Sequence, residues 1–338
     1  MEAALGELGW DAQWQALADA NASAGAPARV AVVYQDRLAL VGAGGPFWGE
    51  LRGRLRQRQS DDAEATPAVG DWVVAAKNQG GGMAVVEALL PRRTRLVRQA
   101  AGRRTEVQVV AANLDLVFVV TSPNRDYSPR RVERYLAAIR EGGAAPAVIL
   151  NKVDLCDEPA PWIEGLVAVA GDAPVLSTCA AAGAGVDAIE ARLGPGRTIA
   201  FVGSSGVGKS SLVNRLLGRD AQAVAPIRDE DDKGRHTTTH RELLPLAGDR
   251  GLLIDTPGMR ELQLWTGEEA VRDVFPDVEA VAAGCRFRDC RHRGEPGCAV
   301  AAAAAAGSLA PTRLAAFHRL LDEQGAHAER RRGGGRRR

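Results

Sequence analysis

Apolar positions along this chain change their rhythm twice. Between residue 29 and about residue 90 they come in short β-rich runs, at 30–34, 38–41, 47–55, 72–76 and 83–90, broken by Gly-Gly, Asp-Asp and Gly-Asp turn signals. That pattern predicts a small antiparallel barrel, with a small β-sandwich as the alternative. From residue 114 to residue 256 apolar strands alternate with helical stretches, the signature of a parallel α/β sheet. Strands are expected at 114–121, 146–150, 175–178, 198–202 and 252–255, and helices at 129–141, 186–193 and 209–217. Beyond about residue 261 the chain is helical and Ala-rich around a group of cysteines, and it ends in an Arg/Gly tail. The expected organisation is multidomain: an extension over 1–27, a β-barrel over 28–92, an α/β domain over 93–262, a mainly helical module over 263–325 and a tail over 326–338.

Length agrees, because 338 residues exceed what one ordinary core holds. Apolar residues make up 46% and charged residues 25%, the balance of a globular protein rather than a disordered or membrane one. No run approaches the roughly 18 apolar residues that cross a bilayer. The N-terminus carries Glu2, Glu7 and Asp11 and lacks an apolar signal core, so a cytoplasmic protein with no membrane partner is expected, working as a monomer. The net charge of +1 hides basic clusters at 92–104 and 330–338. Only Lys77, Lys152, Lys209 and Lys233 are lysines among 43 basic residues, so each retained lysine hints at a site needing a compact ammonium.

Gly203-Ser204-Ser205-Gly206-Val207-Gly208-Lys209-Ser210 follows an apolar strand and opens a helix, the context a phosphate-binding loop requires. Glycines let backbone N–H groups turn inward, the helix N-terminus adds a positive dipole end, and Lys209 reaches β and γ oxygens. Ser210 is the expected Mg²⁺ ligand, and Ser211 joins the binding set. Asn151-Lys152-Val153-Asp154 follows another strand at the carboxyl edge of the sheet. Asp154 can accept from the N1–H and exocyclic amine of guanine, a donor pair that adenine lacks. Lys152 can lie along the base plane, and Asn151 can tie its loop to the phosphate loop. Asp255-Thr256-Pro257-Gly258 ends a third strand, with Asp255 suited to Mg²⁺ through water and the Gly258 N–H to a γ oxygen. GTP with Mg²⁺ is therefore the expected ligand.

The motifs appear out of the usual order, since the base-reading residues at 151 precede the phosphate loop at 203. Cys179-Ala180, followed by Gly183 and Gly185, looks like a second base-contacting loop, again upstream. The domain thus resembles the circularly permuted GTPases. Between the phosphate loop and Asp255 lies Gly234-Arg235-His236-Thr237-Thr238-Thr239-His240; one of its threonines is the candidate to close over Mg²⁺ and the γ-phosphate, Thr238 being preferred to Thr237. Met259 stands where many GTPases carry a water-positioning glutamine, and a thioether cannot do that work, so another group must.

Five cysteines occur, and three lie within fourteen residues. Cys285, Cys290, His292 and Cys298 supply three thiolates and an imidazole, the complement of a closed tetrahedral Zn²⁺ site with a structural role. Such a small module has little core, so metal binding would supply much of its folding free energy.

The Gly-Arg-His-Thr-Thr-Thr-His run is similar to the switch of the RsgA (YjeQ) family, the small-ribosomal-subunit-dependent GTPases. The resemblance extends to Gly9-Trp10-Asp11, Val69-Gly70-Asp71-Trp72-Val73, Ala112-Asn113-Leu114-Asp115 and the cysteine cluster with Glu295-Pro296-Gly297-Cys298. It implies an OB-fold for the barrel, binding 16S rRNA by a basic and partly aromatic face to which Trp48, Arg52, Arg54 and Arg56 could contribute. It implies His236 as the catalytic group, with slow intrinsic turnover accelerated by a partner. It also implies a GTPase that binds the 30S subunit in its GTP state, assists late maturation and leaves after hydrolysis to GDP. The 330–338 tail suits salt-sensitive phosphate contacts. The rival expectations are a permuted GTPase of the large subunit or another RNA, and an RNA-binding scaffold with structural GTP.

Overall fold

The computed structural model describes residues 2–21, 24–61, 65–77, 82–99, 107–125, 127–218, 241–255, 275–287 and 289–333. Two short helices, α1 (Glu2–Gly6) and α2 (Ala12–Ala20), open the chain. Asp11 caps α2 by accepting the backbone N–H groups of Gln13 and Trp14 at 3.0 Å each. Its carboxylate also takes a bidentate Arg93 at 2.5 and 2.6 Å, a hydrogen bond that holds the carboxyl at about 2. These helices are packed rather than loose: Leu5, Leu8 and Trp14 are buried, and Trp10 meets Trp72 edge-on with ring centroids 4.7 Å apart.

Five strands follow: β1 (Ala26–Val33), β2 (Leu38–Gly42), β3 (Gly45–Leu51), β4 (Trp72–Ala76) and β5 (Ala84–Leu89). They pair β1–β2–β3 antiparallel, β3–β5 parallel and β5–β4 antiparallel, and β4 returns to β1. The ring order 1-2-3-5-4 closes the barrel with the OB-fold topology. Its interior is filled by Val30, Leu40, Val73, Val86 and smaller neighbours. One expectation fails here. The run at 47–55 stops as a strand at Leu51, and α3 (Gly53–Asp61) takes over, because 53–61 holds a single leucine among polar residues and offers no second buried face to a ladder.

A hairpin, β6 (Arg95–Gln99) with β7 (Val107–Ala112), joins the barrel to the α/β domain. That domain comprises β8 (Leu116–Thr121), α4 (Pro129–Glu141), β9 (Ala145–Asn151), α5 (Ala160–Ala170), β10 (Val175–Thr178), α6 (Val186–Glu190), β11 (Thr198–Val202), α7 (Lys209–Leu217), β12 (Glu242–Pro245) and β13 (Leu252–Asp255). Strands β10-β9-β8-β11-β13 are parallel, and β12 runs antiparallel beside β13. The carboxyl ends of β9, β10, β11 and β13 therefore share one edge, where a nucleotide binds in such sheets. β12 also pairs with β1 at Val32 and Glu242, so barrel and α/β domain form one eleven-stranded sheet.

Arg29, 1% exposed, locks this seam. Its guanidinium donates to the carbonyls of Leu8, Gly70 and Asn113, one each from the turn after α1, the turn before β4 of the barrel and the start of the α/β domain. Burial lowers the Arg29 pKa to about 10, which leaves it charged at neutral pH.

The C-terminal module contains α8 (Pro276–Ala282), α9 (Ala299–Ala305) and α10 (Pro311–Gly333). It packs on α4. Arg313 bonds Glu133 of α4 and Asp277 of α8, and covers the Phe275 ring at 4.1 Å. Among the described residues no helix is long and apolar enough to cross a membrane.

Candidate functional site

The phosphate loop joins β11 to α7. Gly203, Gly206 and Gly208 have φ values of +137°, +78° and +97°. Any side chain is excluded at two of them: a Cβ on Gly203 would lie 2.1 Å from the Val120 carbonyl oxygen, and one on Gly208 would lie 2.1 Å from the Asn151 amide nitrogen. The loop curls around Lys209, whose Nζ donates to the carbonyls of Gly203 (2.7 Å) and Ser204 (2.6 Å). Ser205 and Gly206 face solvent, Val207 is buried beneath them, and Ser210 and Ser211 are exposed in the first turn of α7.

Asn151, at the end of β9 and 1% exposed, joins the other loops to this one. Its amide nitrogen donates to the Val207 carbonyl at 2.8 Å, while its amide oxygen accepts the Thr178 hydroxyl at 2.9 Å and the Ala180 N–H at 3.0 Å. Lys152 takes a left-handed conformation at φ +64°, turning its chain back so that Nζ meets the Gly206 carbonyl at 2.6 Å. Val153 and Asp154 form a single tight turn, and the Asp154 carboxylate is exposed. Cys179 and Ala180 are buried after β10; the Cys179 N–H bonds the Ala184 carbonyl at 2.9 Å and closes the loop. Arg215 of α7 fastens that loop from below, donating to the carbonyls of Ala180 and Ala181 at 2.8 Å each.

Asp255, half-buried, ends β13, which lies beside β11 in the sheet. A hydroxyl at Ser210 and a carboxylate at Asp255 are oxygen donors of the kind Mg²⁺ takes. His236, Thr237, Thr238, Gly258 and Met259 lie outside the described residues.

Sequence reasoning missed three side chains of this region. Thr178 and Arg215 are bound into it as described, and Arg131 of α4 places Nη1 2.5 Å from the Ser204 hydroxyl. All three act across long separations in sequence, which no period or motif encodes.

Cys285, Cys290, His292 and Cys298 converge, with their ligand atoms within 4.8 Å of one another. The Sγ atoms of Cys285 and Cys298 are 3.9 Å apart, and each lies 3.5 Å from His292 Nδ1. A tetrahedral zinc centre has edges of about 3.8 Å between sulfurs and about 3.5 Å from sulfur to nitrogen, so the donors fit a metal of that size. Glu295 accepts the N–H groups of Arg291 (2.9 Å) and Arg293 (2.7 Å), clamping the backbone on either side of His292. Cys298 caps α9, its Sγ accepting the Ala301 N–H at 3.3 Å.

On the barrel, the Arg37 guanidinium lies over the rings of Trp48 (4.3 Å) and Tyr34 (5.6 Å), making an aromatic and basic platform. Arg52, Arg54 and Arg56 are turned to local partners: Arg52 pairs with Glu87, Arg54 donates to the Glu87 carbonyl at 3.3 Å, and Arg56 lies 3.6 Å from Glu50. Trp48 thus has Arg37 and Tyr34 as its neighbours. The residues 334–338 lie outside the described chain.

Comparison with known proteins agrees with this geometry. The family model described as RsgA GTPase matches residues 89–265. The chain is 47% identical over 340 residues to the small ribosomal subunit biogenesis GTPase RsgA of Opitutus terrae, covering 97% of this chain and 91% of the relative. The protein of the same name from Methanosarcina acetivorans is 48% identical over 257 residues, covering 76% and 69% of the two chains. Among solved structures, YjeQ from Thermotoga maritima superposes with a TM-score of 0.66 at 26% identity, covering 88% of this chain and 98% of that one. The circularly permuted GTPase YloQ shares the fold, with a TM-score of 0.62 at 23% identity over 89% of this chain and 95% of its own. With permuted motif order, barrel, Cys–His cluster and near full-length identity all pointing the same way, the chain belongs to the RsgA GTPase family.

Proposed function

We propose that this GTPase serves biogenesis of the small ribosomal subunit: it binds the 30S particle in its GTP state, assists late maturation and departs once GTP is hydrolysed to GDP and phosphate. The ribosomal part rests on the name carried by relatives that match nearly the whole chain. The nucleotide part rests chiefly on one observation, the Asn151 amide that joins the phosphate loop to both expected base-reading loops.

In this reading the backbone N–H groups of 203–208 and Lys209 hold the phosphates, and exposed Asp154 receives the guanine edge. Lys152 flanks the base, while Cys179 and Ala180 back it. Ser210, Asp255 and Thr238 would hold Mg²⁺, which neutralises charge on the β- and γ-phosphates. His236 orients the attacking water, Met259 being unable to do so. Zinc occupies the Cys285, Cys290, His292 and Cys298 cluster as one structural ion, since four protein ligands leave no open position. The Tyr34, Arg37 and Trp48 platform faces 16S rRNA, stacking unpaired bases. The protein acts as a monomer in the cytoplasm.

The test is GTP hydrolysis by the whole protein with and without 30S or 50S subunits, beside a His236→Ala variant. A rise with 30S only, lost in the variant, is expected. If the rise survives in the variant, the histidine has no catalytic part, and if active protein shows no rise with intact 30S, the ribosomal role is refuted.

A further inference from the structure

Helix α4 begins beside the phosphate loop and sends one arginine into it. The Ser128 hydroxyl accepts the Arg131 N–H at 3.3 Å, fixing the first turn. From that turn the Arg131 side chain reaches Ser204, the second residue of the loop, with Nη1 2.5 Å from Oγ. A guanidinium only donates, so the hydroxyl oxygen is the acceptor. The carbonyl of the same Ser204 accepts Lys209 Nζ at 2.6 Å. A relay therefore runs from α4 through one serine to the ammonium that meets the phosphates. Nothing in the reading of the phosphate-loop motif requires an arginine from a helix seventy residues earlier, and hydrogen bonds to a charged donor are among the stronger ones.

We propose that Arg131 is a positioning residue of the GTPase reaction: by holding the Ser204 side chain it fixes the carbonyl that orients Lys209 toward the β- and γ-phosphates. Arg131 acts through Ser204 rather than on the nucleotide. The inference rests on the nucleotide-site reading above and adds a part to it. Lysine at 131 keeps the charge and a donor but lacks the fork, so it restores part of the effect.

The experiment uses the whole chain as wild type, Arg131→Ala, Arg131→Lys, Ser204→Ala and the double Arg131→Ala/Ser204→Ala. Steady-state GTP hydrolysis and binding of a fluorescent GDP analogue are measured, with thermal melting alongside. Each alanine variant is expected to lose about tenfold in kcat/KM, the effect of losing one charge-assisted hydrogen bond. GDP-analogue affinity should fall less, because GDP lacks the γ-phosphate. The double variant should be no worse than either single one, since both remove the same link, and the lysine variant should recover part of the loss. Additive losses in the double variant, or full kcat/KM in Ser204→Ala, would overturn the proposal; the serine variant keeps the test valid even where Arg131→Ala melts early. Wild-type protein that neither binds nor hydrolyses GTP would instead overturn the nucleotide-site reading itself, and this inference with it.

Discussion

A single carboxamide, that of Asn151, ties its own loop to groups from two others that the chain order separates from it by dozens of residues. Replacing Asn151 by alanine leaves the Val207 carbonyl, the Ala180 N–H and the Thr178 hydroxyl without that partner in a buried site. A stability loss of about 1–3 kcal/mol is expected, together with weaker GDP binding. Thermal melting and titration with a fluorescent GDP analogue check both, and an unchanged melting temperature with unchanged affinity would show that the amide holds nothing together. Much of this residue's role was legible in the sequence, because the Asn-Lys-x-Asp spacing after an apolar run specifies a loop at the carboxyl edge. Its partner Thr178 was not legible, nor was Arg215, since pairing of side chains across a folded sheet follows from topology and leaves no local pattern. The barrel arginines show the converse. Arg52 and Arg56 look like free cations in the sequence, yet each has an acidic neighbour, Glu87 or Glu50, that only strand pairing and a helical turn bring near.

Helix α4 works at both ends of one turn, with Arg131 on the phosphate loop and Glu133 on the C-terminal module. Glu133 is 3% exposed, and burial raises its carboxyl above the ordinary range in spite of the Arg313 charge beside it. The folded protein then binds more protons than the unfolded chain between the ordinary carboxyl value and the raised one. Folding therefore loses stability as pH climbs through that window and regains it as pH falls. Glu133→Gln abolishes the titration while keeping a hydrogen-bond acceptor for Arg313. Its urea midpoint, taken relative to wild type, is expected to climb as pH goes from about 4 to about 7; a difference that stays flat would mean that Glu133 ionises in the folded state as it does in the unfolded chain. At this scale the sequence was most informative where burial is on both faces. The strands at 198–202 and 252–255, flanked by neighbours on both sides, occur at those same residues because they leave continuous apolar runs. The edge strand at 175–178 and the helix at 129–141 also occur where expected, the helix because its apolar positions recur with the helical period. The segments that went unread are α5, β12, the β6–β7 hairpin and α3. β12 has four residues, too few to establish a period; β6 and α3 are rich in polar and charged side chains; and β7 is a short run of small apolar residues. α5, with Glu164 as its one charge, is apolar nearly all round and shows no clear helical period.

Barrel and α/β domain, separate in the sequence pattern, meet along a shared ladder, because the end of β1 beyond its pairing with β4 takes β12 as its neighbour. The expected boundary at residue 92 follows composition and turn signals, and these say nothing about which strand edges find one another. A fragment starting at residue 93 keeps every expected nucleotide-binding residue but leaves the outer edge of β12 without β1 and removes Arg29 from the Asn113 carbonyl. An uncovered strand edge is a template for other chains. Such a fragment is expected to scatter light increasingly with concentration, where the whole protein does not; a monodisperse fragment with full GDP-analogue affinity would contradict this. The same ladder sets an order of events during synthesis. β1 leaves the ribosome early, yet its partner around Glu242 is added only after both expected base-reading loops and the phosphate loop have been made. The barrel can close on itself long before, but part of its first strand keeps an open side through most of translation, and the newborn chain completes its longest-range pairing only when nearly three quarters of it exists.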